Sequence, residues 1–160
     1  MKWMRGLLGL CWLVLLSGSA LAAEPGKVEG KLIVDGKELK LNSVVSFLKE
    51  DFGKKYTTVV LTEKPVPAKA VQEDKLYQLA YSKEIQGIRL RFDDQGKFIG
   101  VIVYHPAFDG PSTEYQGFAD FTKTRFDASV IQGKVSMDHQ DFGEHSIHLE
   151  ATFSAPVPKP

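Results

Sequence analysis

Apolar residues recur at every second position along much of this chain, and this period restricts its fold more than any other feature. The segment KLIVDGKELKL at 31–41 alternates on both sides of an Asp-Gly pair, and GIRLRFDDQGKFIGVIVY at 87–104 repeats the arrangement around DDQG. Successive side chains of a strand point to opposite faces, and Asp-Gly favours the tight turn of a hairpin. Both segments are therefore predicted to be β-hairpins. The return strand of the second is apolar on both faces, which predicts a central position in a sheet.

The remaining segments add further strands and one helix. β-branched residues predict strands in NSVVSFLKEDFG at 42–53 and in YTTVVLTEKPVP at 56–67, and two or three more strands follow the loop at 105–115. Apolar residues spaced i, i+3 and i+4 predict the one helix, between Pro67 and Ser82. The sequence therefore predicts a mainly β fold, a single antiparallel β-sandwich or barrel-like domain of about eight strands with one short helix.

The first 23 residues have the parts of a secretory signal peptide. Basic residues precede an apolar run from Leu7 to Leu16, and small residues with an Ala-Leu-Ala triplet follow it. This run of roughly ten residues is shorter than the about 20 that a membrane-spanning helix needs. The sequence predicts a cleaved signal peptide at 1–23 and a single β-rich domain at 24–160 with a short proline-rich tail. The expected location is periplasmic or secreted, with no membrane span after cleavage.

Cysteine content and charge narrow the classes of function. Cys11 is the only cysteine and lies in the predicted signal peptide, so the exported domain would hold neither a disulfide nor a thiol nucleophile. The full chain has 20 basic and 20 acidic residues, and loss of Lys2 and Arg5 leaves a small acidic excess. So small a net charge gives no reason to expect nucleic acid or an anionic membrane surface as a partner.

Residues 137–150, MDHQDFGEHSIHLE, hold three of the four histidines and form a candidate metal site. A turn at 140–143 would bring side chains from both of its flanks together, in a set that suits zinc or copper. His148 would point to the opposite face of its strand. The spacing matches no established zinc signature, so the polar rim of a solvated hairpin is the alternative interpretation. The predicted metal ligands are His139, His145, Asp141 and Glu144.

Two other groups of polar residues have both a functional and a structural interpretation. Arg89 and Arg91 would lie on one strand face and could bind an anion or an acidic partner, although a solvated face of an outer strand is the favoured alternative. His105, Asp109 and Ser112 lie within one loop, whereas a Ser-His-Asp triad is assembled from elements held apart. The sequence also has no G-x-S-x-G motif. No catalytic residue is therefore predicted.

Four segments carry a resemblance: GKLIVDGKELKLNSVVSF, TTVVLTEKPVP, GIRLRFDDQGK after a short helix, and LEATFSAPVP. In this order they resemble uncharacterised small exported bacterial β-rich proteins. In these a G-x-L-x-V-D-G-K strand pair precedes a V-V-L-T-x-K-P strand, and an F-x-A-P-V segment closes the domain. The shared residues are turn glycines, apolar strand residues and a proline stop. The resemblance implies a common β-fold and carries over no activity and no catalytic residue.

Three classes of function follow from these observations. The missing catalytic motif and the small β-rich body favour an exported, non-enzymatic binding module for a protein partner, as in an inhibitor or immunity protein, or for a small ligand. The second class is a periplasmic metal-binding protein that uses the 139–148 hairpin, with zinc or copper as the only expected cofactor. An enzyme of unfamiliar type is the third class, since catalytic groups distant in sequence leave no local pattern.

Overall fold

The structure of the protein, a computed structural model, describes residues 26–71, 73–142 and 144–157, without the side chains at 68, 73, 74 and 139–142. The predicted signal peptide at 1–23 and the end of the predicted tail at 158–160 lie outside these residues. Nine strands, one α-helix and one 3-10 turn are described. In chain order they are β1 (Lys27–Val34), β2 (Lys37–Leu41), β3 (Ser43–Asp51), β4 (Lys54–Thr62), the 3-10 turn (Ala68–Ala70), α1 (Glu73–Tyr81), β5 (Gly87–Phe92), β6 (Phe98–Tyr104), β7 (Asp120–Phe126), β8 (Val130–Phe142) and β9 (His145–Pro156).

The strands form two antiparallel sheets. One has five strands in the order β2-β1-β9-β8-β7, and the other has four in the order β3-β4-β5-β6. Across the described ranges neither sheet closes into a barrel, and no helix is long and apolar enough to cross a membrane. The predicted mainly β fold with one helix is therefore confirmed, as a sandwich-like arrangement with nine strands where about eight were expected.

The main core lies between the two sheets. Alternating strand residues such as Leu90 and Leu149 are fully buried there. An aromatic cluster extends this core, in which the ring centroids of Phe92 and Phe121 lie 4.9 Å apart and those of Phe121 and Phe153 lie 5.9 Å apart. Burial of each such side chain stabilises the fold by about 1.5–3 kcal/mol, so the core can hold the domain together without a disulfide.

A second, smaller core lies on the outer face of the four-stranded sheet, where α1 packs. Leu76 and Ala80 are one helical turn apart and both face this sheet. They pack in the same cluster as Val60, Ile102 and Tyr104, which lie on β4 and β6. Strands β4 and β6 therefore contribute side chains to both cores, which is why β6, FIGVIVY, reads as a continuous apolar run.

Two tight turns with a left-handed backbone connect neighbouring strands. Asp35 (φ 52°) and Gly36 (φ 75°) join β1 to β2, which confirms the hairpin predicted from the Asp-Gly pair. Phe52 (φ 49°) and Gly53 (φ 74°) join β3 to β4 in the same way. Phe52 is unusual at such a position, since residues with bulky side chains rarely adopt a positive φ.

The prediction that β6 is a central strand is wrong. This strand is the last in the order β3-β4-β5-β6, so one of its edges has no neighbour from a regular strand. It is nevertheless buried on both faces, because the main core lies on one side and α1 on the other. Its open edge is covered by the chain that follows it, through isolated bridges from Val101 to Tyr115 and from Tyr104 to Pro111.

Two boundaries predicted from the sequence near the end of the chain are also wrong, the start of the proline-rich tail at Ser154 and the turn at 140–143. Strand β9 continues through Ala155 and Pro156, which pair with Ile131 and Val130 in the register with β8. A terminal proline is compatible with a ladder because it lacks only the donor and keeps its carbonyl acceptor. Strand β8 extends to Phe142, so the turn predicted at 140–143 lies further along the chain.

Candidate functional site on the four-stranded sheet

Arg89 and Arg91 lie two residues apart on β5, on the outer face of the four-stranded sheet. Arg89 stands between Val60 and Ile102 in the register, both members of the second core. The Arg89 side chain is 4% exposed and that of Arg91 is 19% exposed. The favoured interpretation of a solvated face on an outer strand is therefore wrong, because β5 is an inner strand and α1 covers this face.

One carboxylate contacts both arginines. Arg91 Nη2 donates to Glu114 Oε2 at 2.5 Å, and Arg89 Nη2 lies 3.8 Å from Glu114 Oε1. Gly100, which pairs with Arg91 on β6, leaves room for this approach, since a Cβ there would lie 3.0 Å from Glu114 Cγ. In this structure the carboxylate beside the two arginines is thus supplied by the chain itself.

Tyrosine rings hold the two guanidinium groups on the sheet. Arg91 Cζ lies 4.9 Å from the ring centroid of Tyr56, and Arg89 Cζ lies 5.5 Å from that of Tyr77, both within the range of a cation–π contact. Burial raises the pKa of Tyr104, which lies beside Arg89, and also that of Tyr77, so both hydroxyls stay protonated. The arginines are therefore positioned by aromatic contacts as well as by Glu114.

Glu114 belongs to a segment that lies along the open edge of β6 in the place of a fifth strand. We call Pro111–Tyr115 the edge segment. Val101 and Tyr115 exchange both backbone hydrogen bonds, at 3.1 and 2.8 Å. Ser112 N donates to Val103 O at 2.9 Å, and Ser112 Oγ accepts from Val103 N at 2.8 Å. The edge segment thus satisfies polar backbone groups of β6 that an uncovered edge would leave open.

The polar residues of the 105–112 loop serve the local backbone. The Ser112 hydroxyl accepts from Val103 N and donates to Thr113 O at 2.9 Å. His105 Nδ1 accepts from Ala107 N at 3.2 Å, and burial lowers the pKa of His105. Two of the three groups that a triad would need, His105 and Ser112, therefore make hydrogen bonds that shape this loop, which agrees with their structural interpretation.

The hairpin tip between β3 and β4 carries the most exposed of the large apolar side chains in the described ranges. Phe52 is 99% exposed, compared with 63% for Tyr81 and 45% for Phe118. A cleft of about 540 Å³ opens beside it. We call Phe52 and this cleft the tip surface. The cleft is lined by Gly53, Lys54, Lys55, Tyr56, Asp93, Asp94 and Ile99.

Sequence reasoning missed the tip surface, although one signal for it was present. A two-residue turn between strands normally contains Asn-Gly, Asp-Gly or Gly-Gly, whereas this one is Phe-Gly. Tyr56 connects the two parts of the outer face, because it lines the cleft and its ring also contacts Arg91. The tip surface and the arginines therefore adjoin on one face of the sheet.

We call residues 139–148 the histidine hairpin, and its His145, the first residue of β9, contacts the turn between β1 and β2. His145 Nδ1 is 2.7 Å from Asp35 Oδ2, and Ser146 N donates to Asp35 Oδ1 at 3.0 Å. These hydrogen bonds hold the pKa of Asp35 below its usual range. The ring of Phe108 meets the His145 imidazole edge-on, with centroids 4.8 Å apart. No sequence pattern predicts the Asp35–His145 contact, because the two residues are 110 positions apart.

The predicted metal ligands are only partly described. The side chains of His139 and Asp141 lie outside the described residues. Glu144 is exposed, and no group of three His, Cys, Asp or Glu side chains within the described set is arranged to hold a metal ion. His148 lies on the other face of β9, 3.6 Å from Asp138. The metal site therefore stays a prediction that rests on the sequence.

No protein-family model, curated protein or solved structure matches this chain. The resemblance to exported bacterial β-rich proteins accordingly stays a prediction. What the fold defines is an architectural class, a two-sheet antiparallel β-protein with a helix packed on one outer face. Because one fold supports many functions, the function has to be argued from the site itself.

Proposed function

We propose that the protein is an exported, non-enzymatic β-domain that binds another protein, and that the tip surface makes the contact. The exposed ring of Phe52 is the observation that supports this proposal most. An aromatic ring gains free energy when it leaves water, and aromatic anchors dominate many protein interfaces. The positive φ of Phe52 adds to the argument, because a strained backbone under an exposed aromatic gives the free protein no benefit.

The surroundings of Phe52 support a protein as the partner. Lys54 and Lys55 line the cleft together with Asp93 and Asp94, so its rim is polar and carries both signs of charge. Protein interfaces commonly combine an apolar anchor with surrounding polar residues, and the exposed Phe52 beside these charged residues fits that pattern. An anionic membrane would favour a basic surface instead. A small ligand would favour an anchor that lines an enclosed pocket, whereas the Phe52 ring projects into solvent.

Export is part of the proposal and is supported by the first 23 residues. Their basic start, apolar run and Ala-Leu-Ala triplet predict cleavage and delivery to the periplasm or outside the cell. After cleavage the exported protein would contain no cysteine, so its fold would be stabilised by its hydrophobic core and not by disulfides. Comparison of the mass of the exported protein with that of the full chain tests this point, because an uncleaved product contradicts it.

The binding proposal is tested by photo-crosslinking in the cells that produce the protein. A photoreactive amino acid replaces Phe52 in one variant and Tyr81, an exposed residue of α1, in the matched control. We expect a protein adduct at position 52 that is missing at 81, and the purified partner should bind the Phe52→Asn variant at least about 30-fold more weakly, as loss of an aromatic anchor does. Equal adducts at both positions, adducts with lipid alone, or unchanged affinity of the variant would refute the proposal.

Metal binding is the second candidate function, and the Asp35–His145 contact is the observation that favours it. A carboxylate on Nδ1 leaves Nε2 as the nitrogen available for a metal, as in many metal sites. Thermal unfolding with zinc or copper is the test, on the unchanged protein, on His145→Ala and on His148→Ala as the control. A metal-dependent rise in the midpoint that only His145→Ala loses would support this function. The absence of any rise, or an equal rise in all three proteins, would exclude it.

A further inference from the structure

The open edge of β6 and Arg91 together suggest a second binding site on the outer face of the four-stranded sheet. We propose that they form a groove for an extended peptide with an acidic side chain, and that the edge segment occupies this groove as an internal ligand. The proposal goes beyond the tip surface and would stand if Phe52 bound nothing. It depends on three features of the described residues: the bonding of the edge segment, the geometry of the carboxylate contact and the support of Arg91.

The edge segment contacts β6 in the same way as a peptide that adds to the edge of a sheet. It contacts β6 through two isolated bridges and does not form a continuous ladder. Val101 exchanges two backbone hydrogen bonds with Tyr115, whereas Val103 receives only one backbone partner and completes its pairing through the Ser112 hydroxyl. Sheet edges commonly bind extended peptides by the same main-chain pairing. The segment is therefore a loop in the position of a ligand strand.

The carboxylate contact of the edge segment is incomplete. Glu114 reaches Arg91 through a single hydrogen bond, from Nη2 to Oε2. Arg91 Nε and Glu114 Oε1 are both buried and have no hydrogen-bond partner within the described part of the chain. An arginine and a carboxylate can instead form two parallel hydrogen bonds, which are stronger and more specific. A peptide from another chain is free to orient its carboxylate for this two-bond geometry.

Arg91 is supported in a way that would persist after Glu114 leaves. Its guanidinium lies over the Tyr56 ring, and its strand lies between β4 and β6 in the sheet. Gly100 opposite it keeps the path of the carboxylate open. A preorganised donor binds with a smaller entropic cost than a flexible one. The ligand class that fits is an extended segment with Glu or Asp in register with Arg91, and the chain's own sequence GPSTEYQ at 110–116 is its template.

The test measures binding of this template as a separate molecule. A fluorescent peptide GPSTEYQ is titrated with purified protein, and its anisotropy gives the dissociation constant. The protein variants are Ser112→Ala combined with Glu114→Gln, which weakens the internal ligand, and the same pair with Arg91→Gln added. The control peptide GPSTQYQ lacks the carboxylate. The control variant Glu150→Gln removes an exposed carboxylate that pairs with Lys134 on the other sheet.

We expect the double variant to bind GPSTEYQ at least about tenfold more tightly than the unchanged protein, because the internal competitor is weakened. Arg91→Gln and the control peptide should each remove at least about tenfold of that affinity, and Glu150→Gln should leave it unchanged. A folded double variant that does not bind, or that binds both peptides equally, overturns the proposal. If the double variant does not fold, Glu114→Gln alone carries the same test, since it keeps every backbone hydrogen bond of the edge segment.

Discussion

Replacement of Phe52 by Asn is predicted to stabilise the free protein. The ring is 99% exposed, so its removal loses no packing in the folded state. Its backbone, at φ 49°, is in the left-handed region, which costs most L-residues roughly 1–2 kcal/mol and costs Asn much less. We therefore expect the free energy of unfolding to rise by about 0.5–1 kcal/mol, which corresponds to about 2–4 °C in the midpoint for a domain of this size.

Urea unfolding followed by circular dichroism measures this change, and Phe52→Ala is the matched control. Alanine removes the ring but keeps a Cβ at the left-handed position, so we expect its stability to stay close to that of the unchanged protein. The reasoning is wrong if Phe52→Asn lowers the free energy of unfolding, because the ring would then make contacts in the folded protein. It is also wrong if alanine gives the same gain as asparagine, since the gain would then not come from the backbone.

Three further predictions concern the core, the arginine contact and the histidine hairpin. Leu149→Ala should lower the free energy of unfolding by about 2–5 kcal/mol in urea, and a smaller loss would mean that the two sheets close around the cavity. Glu114→Ala should cost about 1–3 kcal/mol, more than Glu114→Gln, since it removes the only acceptor that the described chain offers to Arg91 Nη2, whereas the Gln amide oxygen can still accept; equal losses would contradict this. Hydrogen bonds from His145 and Ser146 lower the pKa of Asp35 in the folded state. The ionised Asp35 carboxylate should therefore stabilise the folded protein near neutral pH, and this contribution should be lost as pH falls below about 4. Asp35→Asn should therefore approach the unchanged protein in stability at low pH, whereas a constant difference from pH 7 to pH 2 would contradict this cause.

Local patterns predicted most of the strands because each pattern has a local cause. The Asp35-Gly36 pair defines its hairpin through backbone φ alone, and the alternation of Ile88, Leu90 and Phe92 requires one apolar and one polar strand face. The helix was predictable for the same reason, since Leu76 and Ala80 repeat with the helical period. In each case the residues that determine the element lie within the element or next to it.

The position of each strand in its sheet depends on contacts that no local pattern contains. An apolar run on both faces predicts burial, and β6 is buried, but burial does not show whether a second strand or a loop covers the edge. Arg89 and Arg91 alternate with apolar residues along β5, and this local pattern predicted that their face is exposed to solvent. It identified the shared face correctly, whereas the cover by α1 and by Glu114 comes from residues outside the strand and its turns.

The candidate sites show why a structural role does not exclude a functional one. Asp35 is fully explained as a turn residue, yet its carboxylate also holds His145 in place. Gly100 is explained as a close approach of the backbone, yet one of the groups that approach it is the side chain of Glu114, whose carboxylate binds Arg91. In a small domain most polar residues must serve the fold, so a site is built from residues that already have a structural task. Phe52 is the informative exception, because nothing in the described fold benefits from it, and the need for it is therefore best sought in a partner.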